Sequence, residues 1–339
     1  MTPKTPRKFL LISLISLLCL TSCQKKQYFQ NEGYIFGTVY HITYESTKDL
    51  QQGINEELKK FDASLSMFNP NSTLSKINKA GIGKIDLRKD PWALKVIEES
   101  IKISQMTHGS FDITVAPLVN AWGFGFEKMD DVNQQKIDSL KQFVGYKLLH
   151  LKDGILVKAD PRVKLDASAV AKGYACDVVA AFLHKKGIDN YLVEIGGEMT
   201  LKGKNPKGKD WRIGINKPVD DSTSTNMEWE QRLILTNKAI ATSGNYRKFY
   251  EKNGKKYAHT IDPSTGYPVQ HSLLSATVIA NDCLTADALA TSFMVMGVDS
   301  AMAIAERLPD IEGFFIYNDG GVRNKVCYTS GIPAFQKAE

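Results

Sequence analysis

Aromatic and β-branched residues recur at strand spacing along residues 34–44, "YIFGTVYHITY", which predicts a β-strand. The period then lengthens, and Leu50, Ile54, Leu58, Phe61 and Leu65 fall on one face of a helix. A second helix is punctuated at both ends in "DPWALKVIEESIKISQMTHG" (90–109): Asp90 is placed to cap it, Pro91 takes the first helical position and Gly109 stops it. "FYEKNGKKYAHTI" (249–261) has two aromatic-bearing arms meeting at Asn253-Gly254, residues that tolerate the positive φ of a tight hairpin turn. "GFFIYNDGGVRNKVCYTSG" (313–331) reads as a closing structural hairpin. Strand runs joined by both hairpins and helices predict an α+β fold with mixed or antiparallel sheets, not a regular βαβ winding. Internal repeats and low-complexity linkers are absent from the sequence.

The first residues follow a different logic. "MTPKTPRKF" is basic, residues 10–20 are apolar, and "LTSC" closes the segment, the layout of a secretory signal too short to span a bilayer. Thr21 and Ser22 before Cys23 resemble a bacterial lipobox, in which the cysteine is lipidated and becomes the new N-terminus. An ordinary signal peptide with an incidental cysteine is the other reading. The expected organisation is therefore a signal peptide over 1–22, the lipidated Cys23 and a polar tether over 23–32, and a folded unit over 33–335. Such a protein would sit on the extracytoplasmic face of a cell membrane, held by acyl chains.

Composition changes this picture little. With 339 residues and 43% apolar content the chain can bury a sizeable core, and the length allows about two lobes. Of the net charge of +6, Lys4, Arg7 and Lys8 belong to the leader, and no basic cluster interleaved with aromatics points to nucleic acid. Without Cys19 and Cys23, the remaining Cys176, Cys283 and Cys327 are odd in number and widely spaced, which excludes a disulfide framework or a CxxC metal site.

Three stretches carry candidate chemistry. In "VKLDASAVAKGYACDVVAAFLHKKG" (163–187) a strand ending at Asp166 passes through Ala167 and Ser168 into a helix. Val170, Tyr174, Val178 and Phe182 recur along one face of it, and Lys185, Lys186 and Gly187 close it. Small side chains in its first turn would let a phosphate approach the free amides, with Lys172 adding charge; a plain strand-to-helix junction satisfies the same residues. In "NDCLTADALATSFMVMG" (281–297), Asp287 and Thr291 lie one helical turn apart, a carboxylate and a hydroxyl suited to a hard cation such as Mg²⁺, or simply a capping and a back-bonding residue. In "YAHTIDPSTG" (257–266), His259 closes a strand and a turn built on Asp262, Pro263 and Gly266 fixes where it points. Imidazole exchanges protons near neutral pH, so His259 is either a general base or a structural histidine.

Seven ordered motifs carry a resemblance: "GSFDITVAPLVNAWGFG" (109–125), "LDASAVAKGYACD" (165–177), "YLVEIGGEM" (191–199), "WRIGINKP" (211–218), "AIATSGNYRKFY" (239–250), "HTIDPSTGYPV" (259–269) and "TADALATSFMVMG" (285–297). In that order, and over residues from about 33 to 330, the chain resembles the ApbE family of FAD:protein FMN transferases. The resemblance implies a two-lobed, T-fold-like α+β architecture and transfer of FMN from FAD to a threonine hydroxyl, with release of AMP. It implies Mg²⁺ as cofactor and, as partner, an extracytoplasmic flavoprotein of respiratory complexes of the Rnf/Nqr type. Residue by residue, it implies that Phe36, Ser110, Phe111, Asp112, Asp166, Lys172 and Ile261 contact FAD. His259 would be the base, and Asp287, Thr291 and position 169 would hold Mg²⁺. Position 169 is Ala169 here, so only its carbonyl can serve, with the neighbouring Ser168 as a second candidate; Ala290 stands where some relatives have a further acid. Gly196 and Gly197 allow either ligand approach or a strand-end bulge, and Trp122 and Phe124 either stack on the isoalloxazine or, as aromatics between small residues more often do, pack in the core. Two other functions use the same motifs: an FAD pyrophosphatase with water as nucleophile, and a non-catalytic FAD-binding lipoprotein.

Overall fold

The computed structural model describes residues 25–125, 132–218, 228–245, 249–252 and 255–336. The expected leader with Cys23 and the expected turn at Asn253-Gly254 lie outside the described residues. In chain order the elements are β1 (Gln27–Ile35), β2 (Thr38–Ser46), α1 (Gln51–Leu65), α2 (Thr73–Lys79), β3 (Lys84–Asp86), α3 (Pro91–Met106), α4 (Ala116–Ala121), α5 (Gln134–Lys141), β4 (Leu149–Lys152), β5 (Ile155–Lys158), α6 (Ala171–Lys185), β6 (Tyr191–Ile195) and β7 (Glu198–Lys202). There follow β8 (Trp211–Asn216), β9 (Trp229–Leu235), β10 (Lys238–Gly244), β11 (Phe249–Lys252), β12 (Lys255–Ala258), β13 (Leu273–Ala280), α7 (Cys283–Met296), α8 (Val298–Ala305), β14 (Glu312–Tyr317) and β15 (Lys325–Tyr328).

An eight-stranded sheet in the order β1-β2-β6-β7-β10-β13-β14-β15 forms the frame. Every pairing between its described strands is antiparallel, so the α+β expectation holds in its antiparallel form. Side chains alternate between two buried faces. Ala239 and Ala241 of β10, and Ala276, Val278 and Ala280 of β13, face the helices, whereas Ile240 and Ile279 between them face the β8-β9 hairpin. Coverage on both sides explains why these strands read as nearly continuous apolar runs.

The helical face holds α1 where its spacing places it, with Leu50, Ile54, Leu58, Phe61 and Leu65 all buried. The Asp90 carboxylate accepts the Ala93 amide and caps α3 as expected. Helix α7 is apolar nearly all round and lies between the sheet and α3, α6 and α8. A separate cluster of Leu118, Trp122, Ile137 and Ile261 packs α4 and α5 against the segment after β12.

Two local readings change. "YIFGTVYHITY" is not one strand: Phe36 and Gly37, at φ +52° and +77°, form the two-residue turn that pairs Ile35 with Thr38. The expected tether is already folded from Gln27, because Phe29 stacks on Tyr44 and the buried Asn31 accepts the Tyr44 hydroxyl.

Candidate functional site

The start of α6 differs from the open anion cradle that its small residues predict. Residues 163–167 belong to no strand, and the helix begins at Ala171. The amides of Ala171 and Tyr174 bond back to the carbonyls of Ala167 and Val170, and that of Gly173 donates to Asp287 Oδ2 at 3.0 Å. Gly173 is small for a neighbour rather than for a ligand. A Cβ there would stand 2.2 Å from the Cys283 carbonyl oxygen and 2.7 Å from Asp287 Cβ, so the missing side chain is what lets α6 and α7 touch.

That contact assembles a buried charge cluster. Lys172 of α6 forms an ion pair with Glu198, the first residue of β7, and feels the field of Asp287 on α7. Burial disfavours the ammonium, but Asp287 and Glu198 outweigh it and hold its pKa above the usual lysine value. Burial pushes the pKa of Asp287 up, against the pull of Lys172 and the Gly173 amide, and does the same to Glu198. A buried acid in an otherwise apolar helix is retained at a desolvation cost unless its surroundings compensate. Among the described residues, Glu198 Oε2 is buried without a hydrogen-bond partner.

One turn along α7, the Thr291 hydroxyl lies 3.0 Å from Ser243 Oγ on β10. Two residues further, Asn245 Oδ1 accepts the Thr260 hydroxyl at 2.9 Å, and Thr260 follows His259 directly. A continuous path thus joins the histidine segment to the Asp287 helix. His259 comes immediately after β12, is half-buried, and meets Phe124 edge-on with ring centroids 6.4 Å apart.

The turn beyond it is held as its residues predict: the Gly266 amide donates to the Asp262 carbonyl, the Asp262 side chain takes the Ser264 amide, and Gly266 has φ +81°. Trp122 Nε1 donates to the Gly266 carbonyl at 2.8 Å and its ring stacks on Tyr257, which makes it a core residue, as read from sequence. Ile261, 5% exposed, belongs to the same cluster.

The other predicted contacts fall into two groups. Ser110, Phe111 and Asp112 follow α3, and the Asp166 amide donates to the Ile113 carbonyl at 2.7 Å, which brings "SFD" alongside the approach to α6. Burial raises the pKa of Asp112, against bonds from Thr114 and the Tyr146 amide, and burial likewise raises that of Asp166, whose carboxylate takes the Ser168 amide. Phe36, in its hairpin turn, sits edge-on to Phe61 at 5.6 Å. Gly196 lies in another two-residue turn, where a Cβ would come within 2.8 Å of Thr38 Cγ2 and 3.3 Å of Lys172 Cδ. The two hairpin turns and Lys172 therefore converge. Ala169 is half-buried just before α6, and Ser168 is exposed.

Sequence reasoning missed Glu198 and Asp177. Glu198 was legible: a Gly-Gly turn pairs residue 198 with Ile195, and residues directly opposite share a face, so a buried Ile195 implies a buried Glu198. Asp177 of α6 accepts the amides of Cys283 and Leu284 and the Thr200 hydroxyl, tying the start of α7 to α6 and β7; burial leaves its pKa pushed up to about 7.

The ApbE family profile matches residues 36–315. The chain belongs to the ApbE family. It is 39% identical over 310 residues to the FAD:protein FMN transferase of Vibrio cholerae serotype O1, covering 87% of this chain and 90% of that protein. Against the FAD:protein FMN transferase of Escherichia coli K12 the identity is 34% over 304 residues, covering 84% and 82%. The solved flavin transferase ApbE from Vibrio cholerae superposes with a TM-score of 0.82 at 36% identity, covering 91% of this chain and 99% of that one. Membership of the ApbE family accounts for the antiparallel α+β frame and for the order of the seven motifs.

Among the described residues no group of three or more His, Cys, Asp and Glu side chains is arranged to hold a metal ion. Asp287, Thr291 and the Ala169 carbonyl offer oxygen only, the donor class that hard cations such as Mg²⁺ take while keeping waters. With Lys172 charged and both carboxylates ionised, the cluster carries one net negative charge, and a divalent cation would reverse its sign towards an anionic substrate. The residues present therefore fit such a cation.

Proposed function

We propose that this chain transfers the FMN moiety of FAD to a threonine hydroxyl of an acceptor flavoprotein, with release of AMP. The end-to-end likeness to the Vibrio cholerae FAD:protein FMN transferase carries this reading, and the buried lysine-carboxylate cluster at the α6-α7 contact supports it. The acceptor oxygen attacks the flavin-side phosphorus of the pyrophosphate, the bond from that phosphorus to the bridging oxygen breaks, and AMP departs with the electron pair.

His259 takes the threonine proton, because an alcohol is a weak nucleophile at neutral pH and an imidazole is matched to that task. The turn held by Asp262, Gly266 and Trp122 fixes its position. Lys172 lies towards the negative pyrophosphate, and Ser110, Phe111, Asp112, Asp166, Phe36 and Ile261 line the nucleotide. Asp287, Thr291 and the Ala169 carbonyl would hold Mg²⁺, which supplies charge neutralisation at the phosphoryl oxygens. Phosphoryl transfer depends mainly on such positioning and electrostatics. The lipobox-like "LTSC" supports anchoring through Cys23 on the extracytoplasmic face, where acceptors of the Rnf/Nqr type would be met.

The test is to incubate the protein with FAD, Mg²⁺ and an acceptor domain bearing a target threonine. Flavin fluorescence that stays with the denatured acceptor, and is lost when that threonine is replaced by valine, is the expected result. Acceptor with no covalent flavin refutes the transfer.

A further inference from the structure

Lys172 feels two carboxylates and pairs with one of them. Its ammonium lies in the fields of both Asp287 and Glu198, yet the ion pair forms with Glu198 Oε1. Asp287 keeps Oδ2 for the Gly173 amide, and no donor among the described residues meets its Oδ1.

The backbone steers this choice. Glu198 opens β7 immediately after the Gly196-Gly197 turn, and its carbonyl accepts the Cys176 thiol of α6 at 3.2 Å, which docks the turn onto the helix that bears Lys172. Gly196, at φ +64°, has no Cβ, and the Lys172 stem passes where one would crowd it, 3.3 Å from Cδ. Lys172 is thereby led along the turn towards Glu198. An ammonium seated on Asp287 would occupy the carboxylate and repel a divalent cation at once.

Resting on the reading of Asp287 as a cation ligand, we propose that Glu198 is a positioning residue: it holds the Lys172 ammonium off Asp287 and so keeps that carboxylate open to a divalent metal. The orphaned Glu198 Oε2 is consistent with this role, since one oxygen suffices to hold the ammonium. A carboxylate acting only through its charge would help the metal whether or not Lys172 were present. One acting through Lys172 matters only while the ammonium is there, and that difference is measurable.

Mn²⁺ is titrated into the full chain without FAD, and the free ion is followed by its EPR signal. Wild type should bind, and Asp287→Asn should not. Glu198→Gln should weaken Mn²⁺ binding by about ten- to hundredfold, the range typical of residues that orient metal ligands. In a Lys172→Met background the same change should cost no more than about twofold, the scatter of independent sites. An equal loss in both backgrounds, or no loss in the wild-type background, overturns the proposal while leaving the cation reading intact. Mn²⁺ binding indifferent to Asp287 overturns the cation reading and this proposal with it. Should Glu198→Gln not fold, Glu198→Asp replaces it: the shorter stem is expected to lose affinity in the wild-type background and none in Lys172→Met, and the opposite pattern refutes the proposal.

Discussion

His259 and Asp177 show how single residues are given work by their neighbours. His259 follows β12 by one position, and the Thr260-Asn245 hydrogen bond ties it to the strand that touches Thr291. Replacing it with alanine should lower acceptor flavinylation by about 10²- to 10⁴-fold while FAD binding is retained, as measured by product formation and flavin titration. Undiminished turnover would remove it from the chemistry. Asp177 behaves differently, because its pKa is raised from an ordinary aspartate value to about 7, first by burial. The folded state therefore binds a proton more tightly than the unfolded chain. The stability linked to that proton is complete below the unfolded pKa and is lost as pH rises through about 7. Thermal melts of wild type and Asp177→Asn should show the wild-type advantage growing from pH 8 to pH 5. An advantage that shrinks would contradict the assignment.

At the scale of elements, the contact of α6 with α7 decides whether Lys172 lies in the field of Asp287. Gly173→Ala would gain helix propensity in isolation, but here its Cβ meets the backbone of Cys283. Overpacking of this kind costs about 1–3 kcal/mol, so a lowered melting temperature and weaker Mn²⁺ binding are expected together. A variant as stable as wild type would show that the helices separate freely. This contact also marks where the sequence was readable and where it was not. Helices α1 and α3 were legible because their signals are local: an apolar face, a cap, a proline and a glycine stop. The small residues opening α6 suggest room for a phosphate, since nothing local reveals that a helix more than a hundred residues away packs against Gly173. The Phe36-Gly37 turn was hidden because phenylalanine rarely adopts positive φ and the strand-like alternation continues on both sides. Glu198 was legible only through the hairpin register, and its partner Lys172 only through the fold.

Among the described residues, a large antiparallel sheet is covered on both faces, and the proposed chemistry lies where α6, α7 and the ends of two hairpins converge. The frame was foreseeable from alternating strand and helix signals, and the strand order was not, because β10 pairs with β7 and β13 across intervening segments. Transfer and hydrolysis share the cation and the pyrophosphate and differ only in the nucleophile, so the acceptor decides between them. The most direct measurement is the yield of AMP against covalent flavin when the protein turns over FAD with Mg²⁺, with and without a threonine-bearing acceptor domain. The account predicts AMP formed only with acceptor and equimolar with acceptor-bound flavin. AMP and free FMN accumulating at the same rate without acceptor would contradict it.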